Sequence, residues 1–73
     1  MGRSLYNATV IPEVIRRIAE HFHMDEMQAM DDFYQSETAK ALNDPETGLY
    51  GQSALFLFSL YLEEKHAKQD LNV

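Results

Sequence analysis

The sequence predicts an all-α fold, a small three- to four-helix bundle whose C-terminal helix is central and lies at a dimer interface. Three observations support this prediction. Apolar residues recur at helical spacing along residues 11–22, capping residues and a turn divide the rest of the chain, and no segment is indicated as a strand. Seventy-three residues correspond to a single helical domain, residues 1–73. Within it, residues 1–8 are expected to form an N-terminal arm and residues 69–73 a frayed C-terminus.

The first helix is predicted to begin near Thr9, whose hydroxyl can cap the free amides of the opening turn. Pro12 falls inside that turn, where its missing N–H is not needed. The helix is expected to end near His23, and one apolar stripe runs along it. This stripe consists of Ile11, Val14, Ile15, Ile18, Ala19 and Phe22. The pattern is typical of an amphipathic helix that faces the core.

A capping box predicts the second helix. Asp25 takes the N-cap position and Gln28 follows three residues later. The helix is expected to run from Glu26 to Tyr34 or Gln35. Its inward residues are predicted to be Met27, Met30, Phe33 and Tyr34. Two methionines at core positions indicate an adaptable interior.

A short third helix and a tight turn follow. Ser36 can cap a helix that runs through Leu42, with Ala39 and Leu42 facing inward. Residues 43–48, with the sequence Asn-Asp-Pro-Glu-Thr-Gly, carry the signals of a tight turn. Asp stands near the start, Pro supplies a fixed φ, and Gly stands where a left-handed residue is needed.

Residues 53–62 are the most apolar stretch and predict the last helix, which Gly51 to Ser53 open. Ten residues are too few to cross a bilayer, which needs about 20. Apolar residues surround so much of this helix that a short chain has little material to bury it, so we expect a second subunit to cover one face. The predicted interface consists of Phe56, Leu57, Leu60 and Tyr61. The alternative is the central helix of a monomer.

The charge composition argues against several classes of partner. Twelve acidic and six basic residues give a net charge of −6, without a cluster of Lys or Arg. Nucleic acid and anionic lipid both require such clusters, so neither is expected as a partner. An acidic surface suits a basic protein partner or serves solubility. The chain has no Cys and no signal peptide in its first residues, so the expected location is cytoplasmic.

The sequence contains no catalytic motif. It lacks Cys, a Gly-rich phosphate loop and a helically adjacent Ser and His, so we expect neither an enzyme nor a cofactor. Glu20 with His23 and Glu63 with His66 match the Glu-x-x-His pattern of di-iron bundles. Their helical phase is wrong for a metal site, because Glu20 lies opposite the apolar stripe and Glu63 lies on the polar seam of its helix.

A second candidate site lies on either side of the turn. If the fold brings these segments together, Tyr34, Tyr50 and Gln52 could line a small groove. The competing interpretation is that the hydroxyls of Ser36 and Ser53 cap helices and the tyrosines fill the edges of the core.

A family resemblance rests on the middle of the chain. The residues that carry it are Ala29, Phe33, Tyr34, Ser36, Thr38, Leu42, Asp44, Glu46, Thr47, Gly48, Leu49 and Tyr50. With this FYxSxT and DxETGLY pattern, the chain resembles small uncharacterised bacterial all-helical proteins, which are domains of unknown function. The resemblance implies no activity and no functional residues.

The expected function is that of a small acidic protein–protein interaction or regulatory module that acts as a homo-oligomer. The alternative is a small ligand- or metal-binding protein that uses the Tyr34, Tyr50 and Gln52 region or the Glu-x-x-His pairs.

Overall fold

The computed structural model describes the backbone of residues 2–71 and the side chains of residues 9–67. This part of the chain forms four α-helices, one 3₁₀ helix and no strand, which confirms the all-α prediction. The elements are α1 (Gly2–Phe22), α2 (Glu26–Tyr34), α3 (Glu37–Leu42), a 3₁₀ helix (Pro45–Thr47) and α4 (Ala54–Leu71).

The helices pack as a small bundle. α1 packs against α2 and α4, and α3 joins α2 to α4. The molecule measures 43 × 28 × 18 Å, and the shortest dimension matches two layers of helices that are each about 10 Å across. The buried core consists of Ile11, Val14, Ile15, Ile18, Ala19, Ala29, Phe33, Ala39, Leu42, Leu57 and Tyr61.

α1 is longer than the sequence indicated. It begins at Gly2, so the predicted start near Thr9 is wrong, and residues 2–8 continue the helix where a separate arm was expected. Pro12 lies inside the helix, where it removes one backbone hydrogen bond while the turns on either side remain. The predicted stripe is buried apart from Phe22, which is 37% exposed.

The end of α1 lies where it was predicted. His23 adopts a left-handed conformation with φ 57°, and the N–H of Met24 donates to the carbonyl of Ala19 at 3.0 Å. This hydrogen bond is the one that defines a Schellman motif. Met24 packs against the core, and this apolar contact anchors the link between α1 and α2.

The predicted caps of α2 and α3 are confirmed. The Asp25 carboxylate accepts the N–H of Gln28 at 2.7 Å, and the Ser36 hydroxyl accepts the N–H of Ala39 at 3.1 Å. The Gln28 side chain donates to Asp32 at 3.1 Å. Asp25 therefore acts as an N-cap, while the Gln28 side chain pairs with Asp32 one turn further along α2.

The predicted inward face of α2 is wrong in three of its four residues. Ala29 and Phe33 are buried, whereas Met27, Met30 and Tyr34 are 75%, 40% and 57% exposed. The small side chain of Ala29 lets α2 lie close to its neighbours, so the Ala29–Phe33 line faces the core. The three larger residues therefore form a stripe beside the buried face, at the edge of the α1–α2 contact.

The predicted turn and the start of α4 are confirmed. Asp44 caps the 3₁₀ helix by accepting the N–H of Glu46 at 3.0 Å, and Gly48 is left-handed with φ 69°. The hydroxyl of Ser53 accepts the N–H of Phe56 at 3.2 Å, so Ser53 caps α4. Local hydrogen bonds thus set both ends of the loop between α3 and α4.

The predicted dimer interface on α4 needs correction. Leu57 and Tyr61 are fully buried within a single chain, so they cannot face a second subunit. They lie on the side of α4 that packs against α1 and α3. Phe56 is 42% exposed and Leu60 is half-buried, so these two residues remain at the surface. None of the helices within the described range could span a membrane.

Candidate interaction surfaces

One surface lies on the side of α4 that faces away from the core. We call it the α4 outer face, and it comprises Leu55, Phe56, Ser59, Leu60 and Leu62. Leu55 is 59% and Phe56 42% exposed, and the other apolar members are half-buried. Residues 47–62 contain no Asp, Glu, Lys or Arg, so this surface carries no charge in an otherwise acidic chain.

Ser59 lies at the middle of the α4 outer face. Its hydroxyl donates to the carbonyl of Phe56 at 2.7 Å, so the polar group already has a partner within the helix. Burying an unpaired hydroxyl is costly, but covering this one leaves no donor unsatisfied. The small side chain also lets another helix approach closely between Leu55 and Phe56.

A second surface lies between α1 and α2. Its concavity has a volume of about 310 Å³, and we call it the methionine groove. It is lined by Ile11, Pro12, Ile15, Glu26, Met27, Met30 and Tyr34. Ile11 and Ile15 are buried and form the floor, while the exposed Met27 and Tyr34 form one wall. The groove is thus apolar inside and open at the surface.

Charge is distributed unevenly around the methionine groove. α2 and its cap carry Asp25, Glu26, Asp31 and Asp32, and residues 18–39 include no Lys or Arg. Between Glu13 and Glu20 of α1, by contrast, the acidic and basic side chains are paired. Arg16 binds Glu13 and Glu20, with N–O distances of 2.5 and 2.9 Å.

The ion pairs on α1 also influence protonation. The hydrogen bond from Arg16 holds the pKa of Glu13 below its ordinary value, and Glu13 in turn raises the pKa of Arg16. Arg17 adds a second contact to Glu13 at 3.0 Å. The α1 side of the groove is therefore close to neutral, whereas the α2 side is acidic.

A third cluster connects α3 with α4. The carboxylate of Glu64 accepts hydrogen bonds from the N–H of Glu37, the N–H of Thr38 and the hydroxyl of Thr38, each at 2.9 Å. Together with Ser36, which accepts the N–H of Ala39, it satisfies the first three amides of α3. The hydroxyl of Ser36 also donates to the carbonyl of Phe33 at 2.5 Å.

This cluster explains the Ser-x-Thr part of the sequence pattern as structural. Ser36 and Thr38 are buried and fix the corner between α2 and α3, while Glu64 fastens that corner to α4. The sequence interpretation did not identify Glu64. A signal was present, because Glu64 follows Leu57 and Tyr61 at helical spacing and so shares their buried side. An acidic residue at such a position requires hydrogen-bond donors nearby.

Within residues 9–67, the Glu-x-x-His pairs are not joined to further ligands. Glu20 is paired with Arg16, His23 ends α1, and Glu63 and His66 are exposed. Among the described residues, there is no group of three or more His, Cys, Asp and Glu side chains placed to hold a metal ion. A metal site would need at least one further ligand from the same neighbourhood.

The structure gives Tyr34, Tyr50 and Gln52 separate environments. Tyr34 lines the methionine groove on α2, Tyr50 is half-buried against the core, and Gln52 is exposed before α4. The hydroxyls of Ser36 and Ser53 cap helices, as the competing interpretation proposed. These observations favour structural roles for this region over a ligand site.

The fold and its surfaces define a small all-α bundle domain whose candidate sites are open faces. A family model described as "Uncharacterized protein conserved in bacteria (DUF2059)" matches residues 8–57, more than half of the chain, and the chain therefore belongs to this family. This finding confirms the resemblance to uncharacterised bacterial proteins. No curated protein and no solved structure matches the chain. The family region contains the whole methionine groove but only the beginning of α4.

Proposed function

We propose that this domain is a protein–protein interaction module, without enzymatic activity, that acts as a homodimer through the α4 outer face. The observation that carries the proposal is the uncharged apolar surface around Leu55, Phe56 and Ser59. Contiguous apolar surface on a small domain is typical of a binding site. The partner at this face is a second copy of the chain.

Electrostatics favour a second copy at this face. Each chain carries a net charge of −6, so two copies repel each other wherever their acidic surfaces meet. Residues 47–62 lack charge, so the α4 outer face is where two chains can approach with the least repulsion. A two-fold axis would place the same face on both subunits and bury Leu55 and Phe56 together.

The size of the face predicts a weak dimer. A single helix face provides an interface near the lower limit for stable complexes, about 1,200 Å² in total. We therefore expect dissociation at roughly micromolar concentration, within reach of a dilution series.

Light scattering across a dilution series tests this proposal. The wild-type chain is expected to approach twice its mass of 8.4 kDa at high concentration. Leu55→Asp places a charge on the α4 outer face of each subunit and is expected to give a monomer at every concentration. Because Leu55 is 59% exposed, the variant should keep its helical circular dichroism.

Met27→Asp serves as the matched control, since it adds the same negative charge at an exposed apolar residue of another surface, where Met27 is 75% exposed. This variant is expected to dimerise as the wild type does. The proposal is wrong if the wild-type chain stays monomeric at the highest concentration, or if Leu55→Asp leaves the dimer unchanged.

A further inference from the structure

The methionine groove is a second surface whose character differs from that of the α4 outer face. Met27, Met30 and Tyr34 leave apolar surface open to solvent above the buried Ile11 and Ile15. Methionine side chains are flexible and polarisable, so a wall built from two of them can adapt to the shape of a partner. The groove is open to solvent, so side chains of a partner can enter it from outside.

The charge around the groove selects the class of partner. Glu26 lines the groove and Asp31 lies further along the same helix, whereas Asp32 lies beside Gln28 on another side of α2. A second copy of the chain would bring the same acidic residues against them, and like charges at close range oppose binding. A cationic partner would instead be attracted to α2.

The α1 side of the groove also tolerates a cationic partner. Arg16 follows Ile15 on α1, and its guanidinium is held by Glu13 and Glu20. The three side chains together carry no net positive charge, so they provide little repulsion to set against the attraction of α2.

We propose that the methionine groove binds a cationic amphipathic helix of another protein. Apolar side chains at helical spacing on that partner enter the groove between Ile15, Met27 and Met30, and its Lys or Arg side chains face the carboxylates of α2. This inference rests on the proposed function, since it assumes that the domain binds proteins. It concerns a different face from the homodimer, so either can fail alone.

A synthetic peptide provides the probe. A helix of about 15 residues, built from Leu on one face and Lys on the other with one Trp, has the required chemistry. The chain contains no Trp, so tryptophan fluorescence reports on the peptide alone. We expect micromolar binding, and binding at least about tenfold weaker for the same peptide with Glu in place of Lys.

Two variants of α2 distinguish peptide binding in the groove from attraction of the peptide to the overall charge of the helix. Met27→Lys introduces a cation into the groove and is expected to weaken peptide binding by about tenfold or more. Gln28→Lys introduces the same charge on the neighbouring, differently directed position of α2 and is expected to have an effect of less than about threefold. Leu55→Asp, which lies on the other surface, is expected to bind the peptide as the wild type does.

The methionine methyl groups locate the bound peptide. Met27 and Met30 line the groove, whereas Met24 packs against the core at the end of α1. In a methyl NMR titration, the signals of Met27 and Met30 should shift on addition of the peptide and that of Met24 should stay in place.

The possible outcomes distinguish the two proposals. The groove proposal is overturned if Met27 and Met30 do not shift, if the Glu peptide binds as well as the Lys peptide, or if Gln28→Lys weakens binding as much as Met27→Lys. None of these results affects the dimer, which light scattering tests through Leu55→Asp. Conversely, a monomeric wild-type chain that still binds the Lys peptide would remove the homodimer alone.

Discussion

Tyr61 shows how one buried residue connects the elements of this fold. It is 0% exposed, and its ring lies 6.1 Å from that of Phe22 and 6.2 Å from that of Phe33, so it joins α4 to α1 and α2. Burial and, to a smaller extent, the negative charges of Asp32 and Glu64 together raise the pKa of its hydroxyl from 10.0 to about 12. The folded protein therefore holds the proton of Tyr61 more tightly than the unfolded chain does.

This difference predicts an alkaline loss of stability. Below pH 10 the tyrosine is neutral in both states, whereas between pH 10 and about 12 it ionises in the unfolded chain but not in the folded one. The free energy of unfolding should therefore fall as the pH rises through this range, by at most about 3 kcal/mol. Tyr61→Phe removes this contribution, and urea unfolding at a series of pH values measures it.

Two features make the comparison specific to Tyr61. The Lys65 ammonium lies 5.1 Å from the ring centre and would face a phenylalanine ring as well. The difference between wild type and variant therefore cancels most of its effect. Tyr34→Phe, at a residue that is 57% exposed, should retain the alkaline slope. Equal slopes for the wild type and Tyr61→Phe would contradict the prediction.

At the scale of the elements, α3 depends on a residue that is distant in sequence. Six residues are too few for a helix to be stable alone, and its amides need partners at the N-terminus. Ser36 supplies one acceptor locally, while Glu64 supplies the others from α4. α3 thus forms as part of its contact with α4.

Removing the Glu64 carboxylate should loosen α3 selectively. Glu64→Ala takes away three acceptor contacts and leaves the amides of Glu37 and Thr38 without their partner, at an expected cost of about 2 kcal/mol in unfolding free energy. Hydrogen exchange at these two amides should become faster. Chemical unfolding and exchange measured by NMR provide the two readouts.

Glu63→Ala is the matched control for this prediction. Glu63 precedes Glu64 in the same helix and has the same charge, but it is exposed. Its replacement is expected to change stability by less than about 0.5 kcal/mol and to leave α3 protected. If the two variants prove equally stable, the tie between α3 and α4 contributes nothing measurable.

Elements with local signals were predictable from the sequence. Asp25, Ser36 and Ser53 each cap the helix that their position indicated, because a cap requires only a side chain and the amides two or three residues later. The start of α1 was missed because Pro12 is also typical of a first turn. A proline marks the start of a helix only where the residues before it are not helical, and here residues 2–11 are helical.

Facing directions were harder to predict than element bounds. α4 is apolar on most sides, so its sequence does not distinguish the buried Leu57 and Tyr61 from the exposed Leu55. On α2, Ala29 decides the orientation by allowing close packing, while the larger Met27 and Met30 remain outside. The α4 outer face and the methionine groove therefore became visible only once the helices were packed.

At the scale of the whole molecule, the net charge of −6 acts on every association. The α4 outer face itself is uncharged, but two copies that meet there still repel each other through the net negative charge of each chain. The methionine groove borders the acidic α2, so a cationic helix binds there with a general attraction. Both interactions bury apolar surface, but the long-range electrostatic contributions have opposite signs.

Salt should therefore affect the two proposed interactions in opposite directions. Raising NaCl from about 0.02 M to about 0.5 M shortens the screening length from about 20 Å to about 4 Å. Screening weakens the repulsion between two acidic chains, so the homodimer is expected to dissociate at a lower concentration. It also weakens the attraction of the Lys peptide, whose dissociation constant is expected to rise about tenfold or more. Light scattering and tryptophan fluorescence in the same buffers measure both constants. If salt changed both dissociation constants in the same direction, the opposite electrostatic contributions proposed for the two surfaces would be wrong.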